Sequence, residues 1–286
     1  MLKNGAAPFL SALEQSPLIE DEEATEKRHA ESFNDAIGSL NKADGYNCPH
    51  CRNKGWIMDY FYESSVKYWT TAVHECSCMA MRKAVQDKKQ SGLNASGRYT
   101  FENYRENEQW QKSVKAAALA FLDALDSGHW FFIGGQSGAG KSHICTAIAN
   151  ACIDRGRRAK YMIWGEEIKR LKGLIATDPA QYETIMKELK SVPVLYIDDL
   201  FKGGRNDAGG FKPPTEADVK GAFDIINARY NNPRCITIIS SERMLNEILE
   251  LDTATGGRIA ERAGDYIINL PSDNRMNYRV NKTLAY

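Results

Sequence analysis

Beyond about residue 100, short runs of consecutive apolar residues alternate with segments in which apolar residues recur at helical spacing. Trp130-Phe131-Phe132-Ile133, Ala159–Trp164, Val192–Leu200 and Cys235–Glu242 read as buried strands, and Tyr266–Leu270 as a last short one. Ile144, Ala147, Ile148 and Ala151 mark a helix after the first strand. Helices are also expected at about 166–175 and 179–190, and from Thr215, a plausible N-cap, to Tyr230. Phe101 to Leu125 reads as a helical stretch leading into the first strand. Strands alternating with helices imply a mainly parallel sheet. The strand at Cys235–Glu242 is expected between those that begin at Trp130 and Val192.

The first 95 residues carry a different rhythm. Residues 1 to about 42 look helical, with Phe33, Ile37 and Leu40 at helical spacing after the acidic run Glu20-Asp21-Glu22-Glu23. That stripe suits either a solvated helix or one that docks a partner. Two runs of strand formers follow, Trp56–Tyr62 and Tyr68–Val73, on either side of Glu63-Ser64-Ser65, the pattern of a β-hairpin. Met79 to Lys89 is a basic helix (Arg82, Lys83, Lys88, Lys89), read as a solvated face or a nucleic-acid contact. Gly92 to Gly97 is a polar linker. A small unit at residues 1–95 and a large α/β domain at 96–286 are therefore expected.

Composition narrows the classes. Lysine plus arginine equals aspartate plus glutamate at 37 each, so nucleic-acid binding would have to use local patches. No apolar stretch approaches membrane-spanning length, and Ala6–Leu10 is too short for a signal segment. Seven cysteines is an odd number for a disulfide framework, which points to a reduced, cytoplasmic setting.

Four of these cysteines form a pattern. Cys48-Pro49-His50-Cys51 is a C-x-x-C knuckle, and Cys76-Ser77-Cys78 stands where the hairpin would return the chain to it. Four converging thiolates suit tetrahedral Zn²⁺, which would hold together a unit at about 45–91 too small for a core of its own. An iron–sulfur cluster is the other group such a set could hold, and His50 and His74 lie near enough to substitute as ligands. Cys145, Cys152 and Cys235 sit in apolar settings and read as packing residues.

The stretch with the most specific chemistry is Gly135-Gln136-Ser137-Gly138-Ala139-Gly140-Lys141-Ser142-His143, between the first strand and its helix. Glycines there let successive N–H groups turn inward toward phosphate oxygens at a helix N-terminus. Lys141 would add a charge on the terminal phosphates of ATP, and Ser142 a hydroxyl for Mg²⁺. The strand at Val192–Leu200 ends in Asp198-Asp199, the Walker B pattern. Asp198 is expected to hold Mg²⁺ through water, and Asp199 to orient or deprotonate the attacking water. Lys202, Arg205 and Lys212 lie in a glycine-rich loop that reads as solvated or as a contact to a single-strand backbone. Arg258 and Arg262, four apart after Gly256-Gly257, would share a helix face. They suit either surface ion pairs or a guanidinium offered to a neighbouring subunit's phosphates.

GxxxxGKS, LYIDDL, TIISSE and GGRIAER, in that order behind a CxxC…CxC unit, resemble the DnaC/DnaI-type replicative helicase loaders of the AAA+ class over roughly residues 45–286. IstB-type transposition helpers share the ATPase half. The resemblance implies an AAA+ core with a parallel five-stranded sheet flanked by helices. It also implies an ATPase that binds a hexameric replicative helicase through its N-terminal unit and places it on single-stranded DNA. Self-association would bring Arg258 to a neighbour's nucleotide as an arginine finger in trans. Ser241 or Glu242 falls at the sensor-1 position; a carboxylate cannot donate to a phosphate, so that role is expected of Ser241. Only sixteen residues follow Leu270, so no C-terminal helical lid is expected, and Arg275 or Arg279 could stand in for its arginine. Aspartate rather than glutamate beside the Mg²⁺ ligand suggests slow turnover. The alternatives are a transposition helper acting on duplex DNA and a transposase, and a small-molecule P-loop kinase, which would need an acceptor site that is not visible.

Overall fold

The computed structural model describes residues 17–93, 99–203, 212–273 and 276–277. The chain divides into two compact units, at 1–85 and 86–286. Among the described residues no helix is long and apolar enough to cross a membrane.

The first unit contains helix α1 (Pro17–Asp35), the short α2 (Asn41–Asp44), the antiparallel strands β1 (Trp56–Glu63) and β2 (Tyr68–Glu75), and most of α3 (Cys78–Gln90). The hairpin forms as the strand-former pattern predicts, with Trp56 opposite Glu75 and Glu63 opposite Tyr68. The N-terminal helix is shorter than expected. It stops at Asp35, Ile37 is 74% exposed, and Leu40 heads α2. The cause is a close approach of backbone to backbone at Gly38. Its N–H donates to the Arg52 carbonyl at 2.7 Å, and a Cβ there would stand 2.1 Å from the Asn53 oxygen. Nor is the helix without a partner. The Asn34 carboxamide donates to the Met58 carbonyl (2.8 Å) and accepts from its N–H (3.0 Å), which fastens α1 to β1. The Phe33 ring lies under the Lys54 ammonium, 5.0 Å away.

The second unit runs α4 (Gln109–Asp123), β3 (Phe131–Gly135), α5 (Lys141–Asp154), β4 (Ala159–Ile163), α6 (Trp164–Thr177), α7 (Pro179–Ser191), β5 (Val194–Asp198), α8 (Glu216–Tyr230), β6 (Ile236–Ser241), α9 (Leu245–Leu251), α10 (Thr253–Ala263) and β7 (Ile267–Leu270). The sheet order is β4-β5-β6-β3-β7, and every adjacent pair is parallel. Every residue of β3, β5 and β6 is buried, because helices cover both faces. The arrangement is the expected AAA+ core, with β6 between β3 and β5.

Two helix starts follow from capping. Thr215 caps α8 as anticipated: its hydroxyl accepts the Asp218 N–H, and the Asp218 carboxylate accepts the Thr215 N–H at 2.9 Å. The stretch expected to be helical from Phe101 becomes helix only at Gln109. Gln111 reaches back to the Glu108 N–H at 2.8 Å and closes a capping box there. Residues 99–108 are left as a loop.

Candidate functional site

The phosphate loop begins where β3 meets β7. Gly135 has φ +107°, and a Cβ there would lie 1.9 Å from the Leu270 carbonyl oxygen, so only glycine lets the chain turn at this point. The turn ends at Gly140, and α5 starts with Lys141. The Lys141 ammonium is buried and donates to the carbonyls of Gly135 and Gln136, both at 2.8 Å. Burial pulls its pKa down, against the opposing pull of Glu242 and Asp199.

At the end of β5 the Asp198 carboxylate gathers three hydroxyls. Ser142 donates at 3.1 Å and Tyr161 at 3.0 Å, and Ser240 donates as well. A serine hydroxyl beside a carboxylate is a hard-oxygen donor set that fits Mg²⁺ better than a softer metal. Asp199 is in the left-handed region (φ +58°), which turns it away from the strand path. Its carboxylate meets the Lys202 ammonium at 2.8 Å, and Lys202 in turn lies 3.2 Å from Glu242.

The two residues considered for the sensor position are placed differently. Ser241 is fully buried; its hydroxyl donates to the Leu200 carbonyl at 2.7 Å and accepts the Arg243 N–H at 3.0 Å. Glu242 lines the pocket with Lys141, Ser142, Asp199 and Lys202. Burial alone would raise the Glu242 pKa, but Lys202, with Ser137 and Lys141, outweighs it and holds the group below the ordinary carboxylate range.

Another part of the pocket lining comes from the loop at 99–108, which was expected to be helical from Phe101 onward. Tyr99, Asn103, Tyr104 and Arg105 line the pocket with Ser137, Gly138 and His143. The His143 ring contacts Tyr99 (centroids 4.9 Å apart) and the edge of Tyr104 (5.2 Å), and its Nε2 lies 2.9 Å from the Thr100 carbonyl. Burial lowers the His143 pKa. The signal that could have found this part of the lining is the Glu108/Gln111 capping pair, which sets the helix start and leaves Asn103, Tyr104 and Arg105 outside it.

Arg258 does not line that pocket. On α10 it donates to Asn227 Oδ1 (2.9 Å) and to the Ala254 carbonyl (2.8 Å), over the rings of Phe223 and Tyr230. Arg262 is tied to the carbonyls of Gly128, Tyr230 and Cys235 and lies over Trp130, which makes it a packing residue of its own subunit. Gly256 and Gly257 are inside the helix and do not loosen the approach to it. Arg205, Arg275 and Arg279 lie outside the described residues.

In the first unit, Cys48, Cys51, Cys76 and Cys78 bring all four sulfurs within 4.8 Å of one another. Sγ–Sγ is 4.0 Å for Cys48–Cys76 and 3.5 Å for Cys51–Cys78. Tetrahedral sulfur ligands about 2.3 Å from a zinc ion lie at comparable mutual distances. The knuckle is preformed: Gly55 N–H donates to Cys51 Sγ at 3.2 Å, and Asn53 Oδ1 accepts the Cys48 N–H at 2.8 Å. Burial would raise the Cys51 thiol, yet the Gly55 N–H and the neighbouring thiols bring it down to about 6. Burial pushes Cys78 the other way, and the thiol set shares its protons unequally. The residues present fit a dication with sulfur preference. His50 is exposed and His74 faces Asp59 at 3.3 Å, so neither joins the sulfurs. Cys145, Cys152 and Cys235 are buried core residues, as their settings suggested.

Residues 67–251 match the family described as IstB-like ATP binding protein. The phage-like element PBSX protein XkdC of Bacillus subtilis (strain 168) is 28% identical over 237 residues, 79% of this chain and 83% of that one. The replicative helicase loader DnaC of Escherichia coli (strain K12) is 27% identical over 120 residues, 40% of this chain. The match spans about half the length of that loader (49%). Among solved structures, the DnaC helicase loader aligns with a TM-score of 0.48 at 20% identity, over 62% of this chain and 98% of that one. The family match extends over well more than half of the sequence and takes in both the phosphate loop and the aspartate pair. This chain belongs to the IstB-like ATP-binding protein family.

Proposed function

We propose that the protein is an ATP-hydrolysing switch that binds a hexameric replicative helicase and places it on single-stranded DNA. The observation that carries the ATPase half is the meeting of Ser142 and Asp198 at 3.1 Å beside Lys141. The N–H groups from Gly135 to Ser142 would cradle the phosphates, and the Lys141 ammonium would exchange two carbonyls for phosphate oxygens. Mg²⁺ bound at Ser142 and Asp198 would neutralise charge on the terminal phosphates. Asp199 would orient water, and Arg258 of a neighbouring copy would stabilise the charge that develops. Hydrolysis is slow in this reading, well below the enzyme median of about 10 s⁻¹. Residues 1–95, with Zn²⁺ in the four-cysteine unit, form the helicase-docking part, and residues 96–286 form the ATPase part. Support for the loader half comes from the likeness to the replicative helicase loader, together with a thiol unit ahead of the ATPase core.

The test is a pull-down with ATP against a replicative hexameric helicase from the same source. A complex that survives Lys141→Ala but is lost on removal of residues 1–95 is the expected result. No complex under any condition, with binding to duplex DNA instead, would favour the transposition-helper reading, which the name of the matched family keeps in view.

A further inference from the structure

Asp199, Lys202 and Glu242 come from two segments and meet on one wall of the nucleotide pocket. Asp199 and Lys202 belong to the turn after β5, and Glu242 to the tip of β6. The backbone makes the meeting possible. The left-handed conformation at Asp199 starts a turn in which the Lys202 N–H donates to the Asp199 carbonyl at 2.9 Å. The Leu200 N–H donates to the Ser240 carbonyl at 2.9 Å, which staples that turn to β6. Lys202 is thereby placed with its ammonium on both carboxylates, 2.8 Å from one and 3.2 Å from the other.

The charge arithmetic of this wall is unusual for a triphosphate site. Two carboxylates stand where a polyanion has to bind, and one of them, Glu242, is only 15% exposed. Beside Asp199, Glu242 adds a second negative charge to the pocket lining, which repels a bound phosphate. Lys202, with Lys141, offsets these carboxylates in the pocket lining, and of the two only Lys202 pairs directly with both. It stays 45% exposed on the pocket side, and its pKa is held above the ordinary lysine value: burial would lower it, but Asp199 and Glu242 outweigh burial.

We propose that Lys202 is the residue by which this site distinguishes a nucleoside triphosphate from a diphosphate. The inference rests on the ATP-binding reading of the pocket. A terminal phosphate competes with Asp199 and Glu242 for the Lys202 ammonium. Drawing that ammonium over releases the Asp199 carboxylate to hold water. A diphosphate leaves Lys202 on the carboxylates and Asp199 occupied. Lys202 is then a ligand-discriminating residue, and Glu242 is the counter-charge that sets how far discrimination goes.

The experiment is calorimetric titration of the full-length protein, in Mg²⁺, with ADP and with a non-hydrolysable ATP analogue. Wild type is compared with Lys202→Met, Lys202→Arg and the double variant Lys202→Met/Glu242→Gln. Loss of one charge-assisted contact predicts that Lys202→Met weakens the triphosphate analogue about tenfold or more and ADP by no more than about twofold. Lys202→Arg should restore most of the loss, and Glu242→Gln should recover much of it by removing the unbalanced carboxylate. Unchanged ADP binding also reports that the variant is folded. Equal weakening of both nucleotides, no weakening of either, or no recovery in the double variant overturns the proposal while leaving the ATP site intact. Wild type that binds neither nucleotide overturns the ATP reading and this inference with it.

Discussion

The two units of this chain solve the same problem with different means. In the larger one, strands β3, β5 and β6 are buried along their whole length, and helices close over both faces. Each large apolar side chain buried there contributes about 1.5–3 kcal/mol, and the sum is spread over dozens of positions. In the smaller one, the buried apolar residues among those described include only Ala30, Ile57, Met58 and Ala84 besides four cysteines, with Tyr46 and Met79 packed against the cysteine cluster. Hydrophobic burial on that scale does not hold a domain. What remains is polar and concentrated: the sulfur set, and the buried ion pair in which the Arg82 guanidinium reaches Asp44 at 2.6 Å and Asn53 at 2.8 Å. Stability is distributed in one unit and rests on a few groups in the other, so single substitutions should separate them sharply.

The largest separation should come from the thiols. Cys51→Ser, or treatment with a strong chelator, is expected to unfold the first unit. Structural zinc in small domains supplies apparent folding free energy of about 10–16 kcal/mol near neutral pH. Hydrogen exchange should become fast throughout β1 and β2, while α5 and the central strands keep their protection. Zinc should be found at one equivalent in wild type and be absent from the variant. Retained protection in the hairpin after complete chelation would mean that α1 and the ion pair suffice, and the contrast between the units would collapse.

Next in size is Arg82→Met. It takes the guanidinium away from the Asp44 carboxylate, itself only 15% exposed. Removing one partner of a buried pair costs about 3–5 kcal/mol. The chemical-denaturation midpoint of the first unit should fall, with nucleotide affinity unchanged. Lys141→Ala should do the reverse, lowering ATP affinity by about 10–100-fold, as loss of a phosphate-bound charge implies, while both units unfold at the wild-type midpoint.

How far these features were legible in the sequence follows the same division. The phosphate loop, the aspartate pair and the alternation of strands and helices could be read because each is a local pattern: glycines at a turn, acids at a strand end, apolar runs separated by helices. The thiol unit could be read because its four ligands are chemically distinctive. Arg82 could not, since a basic helix face looks solvated until Asp44 and Asn53 are brought to it from 38 and 29 residues away. Arg229 was invisible for the same reason. It sits fully buried on α8 and donates to Thr237 and to the carbonyls of Leu189, Val192 and Ile236, with its pKa drawn down by burial to about 10. The Lys202 bridge and the Tyr99–Tyr104 wall are likewise products of tertiary placement. The ends of α1 and α4 were misplaced because helical periodicity ignores steric stops such as Gly38 and caps such as Glu108.

The smallest expected effect tests the distributed side of the comparison. Thr215 and Asp218 cap α8 reciprocally, and Lys172 adds an ion pair to Asp218 that remains partly open to solvent. Thr215→Ala should cost about 1 kcal/mol, the ordinary cost of an N-cap, and lower the melting temperature of the second unit by about 2–4 °C. The pH dependence has a definite sign. Burial alone would raise the Asp218 pKa, but Lys172 and Thr215 outweigh it, so the folded value lies below the ordinary 3.8. A carboxylate with a depressed pKa contributes stability above its unfolded value and loses it as pH falls through the folded one. The difference in unfolding free energy between wild type and Asp218→Asn should therefore be constant from neutral pH down to about 4 and shrink below it. A loss several times larger than a single cap, or one that also abolishes nucleotide binding, would show that α8 is held by a few groups after all, as the thiol unit is.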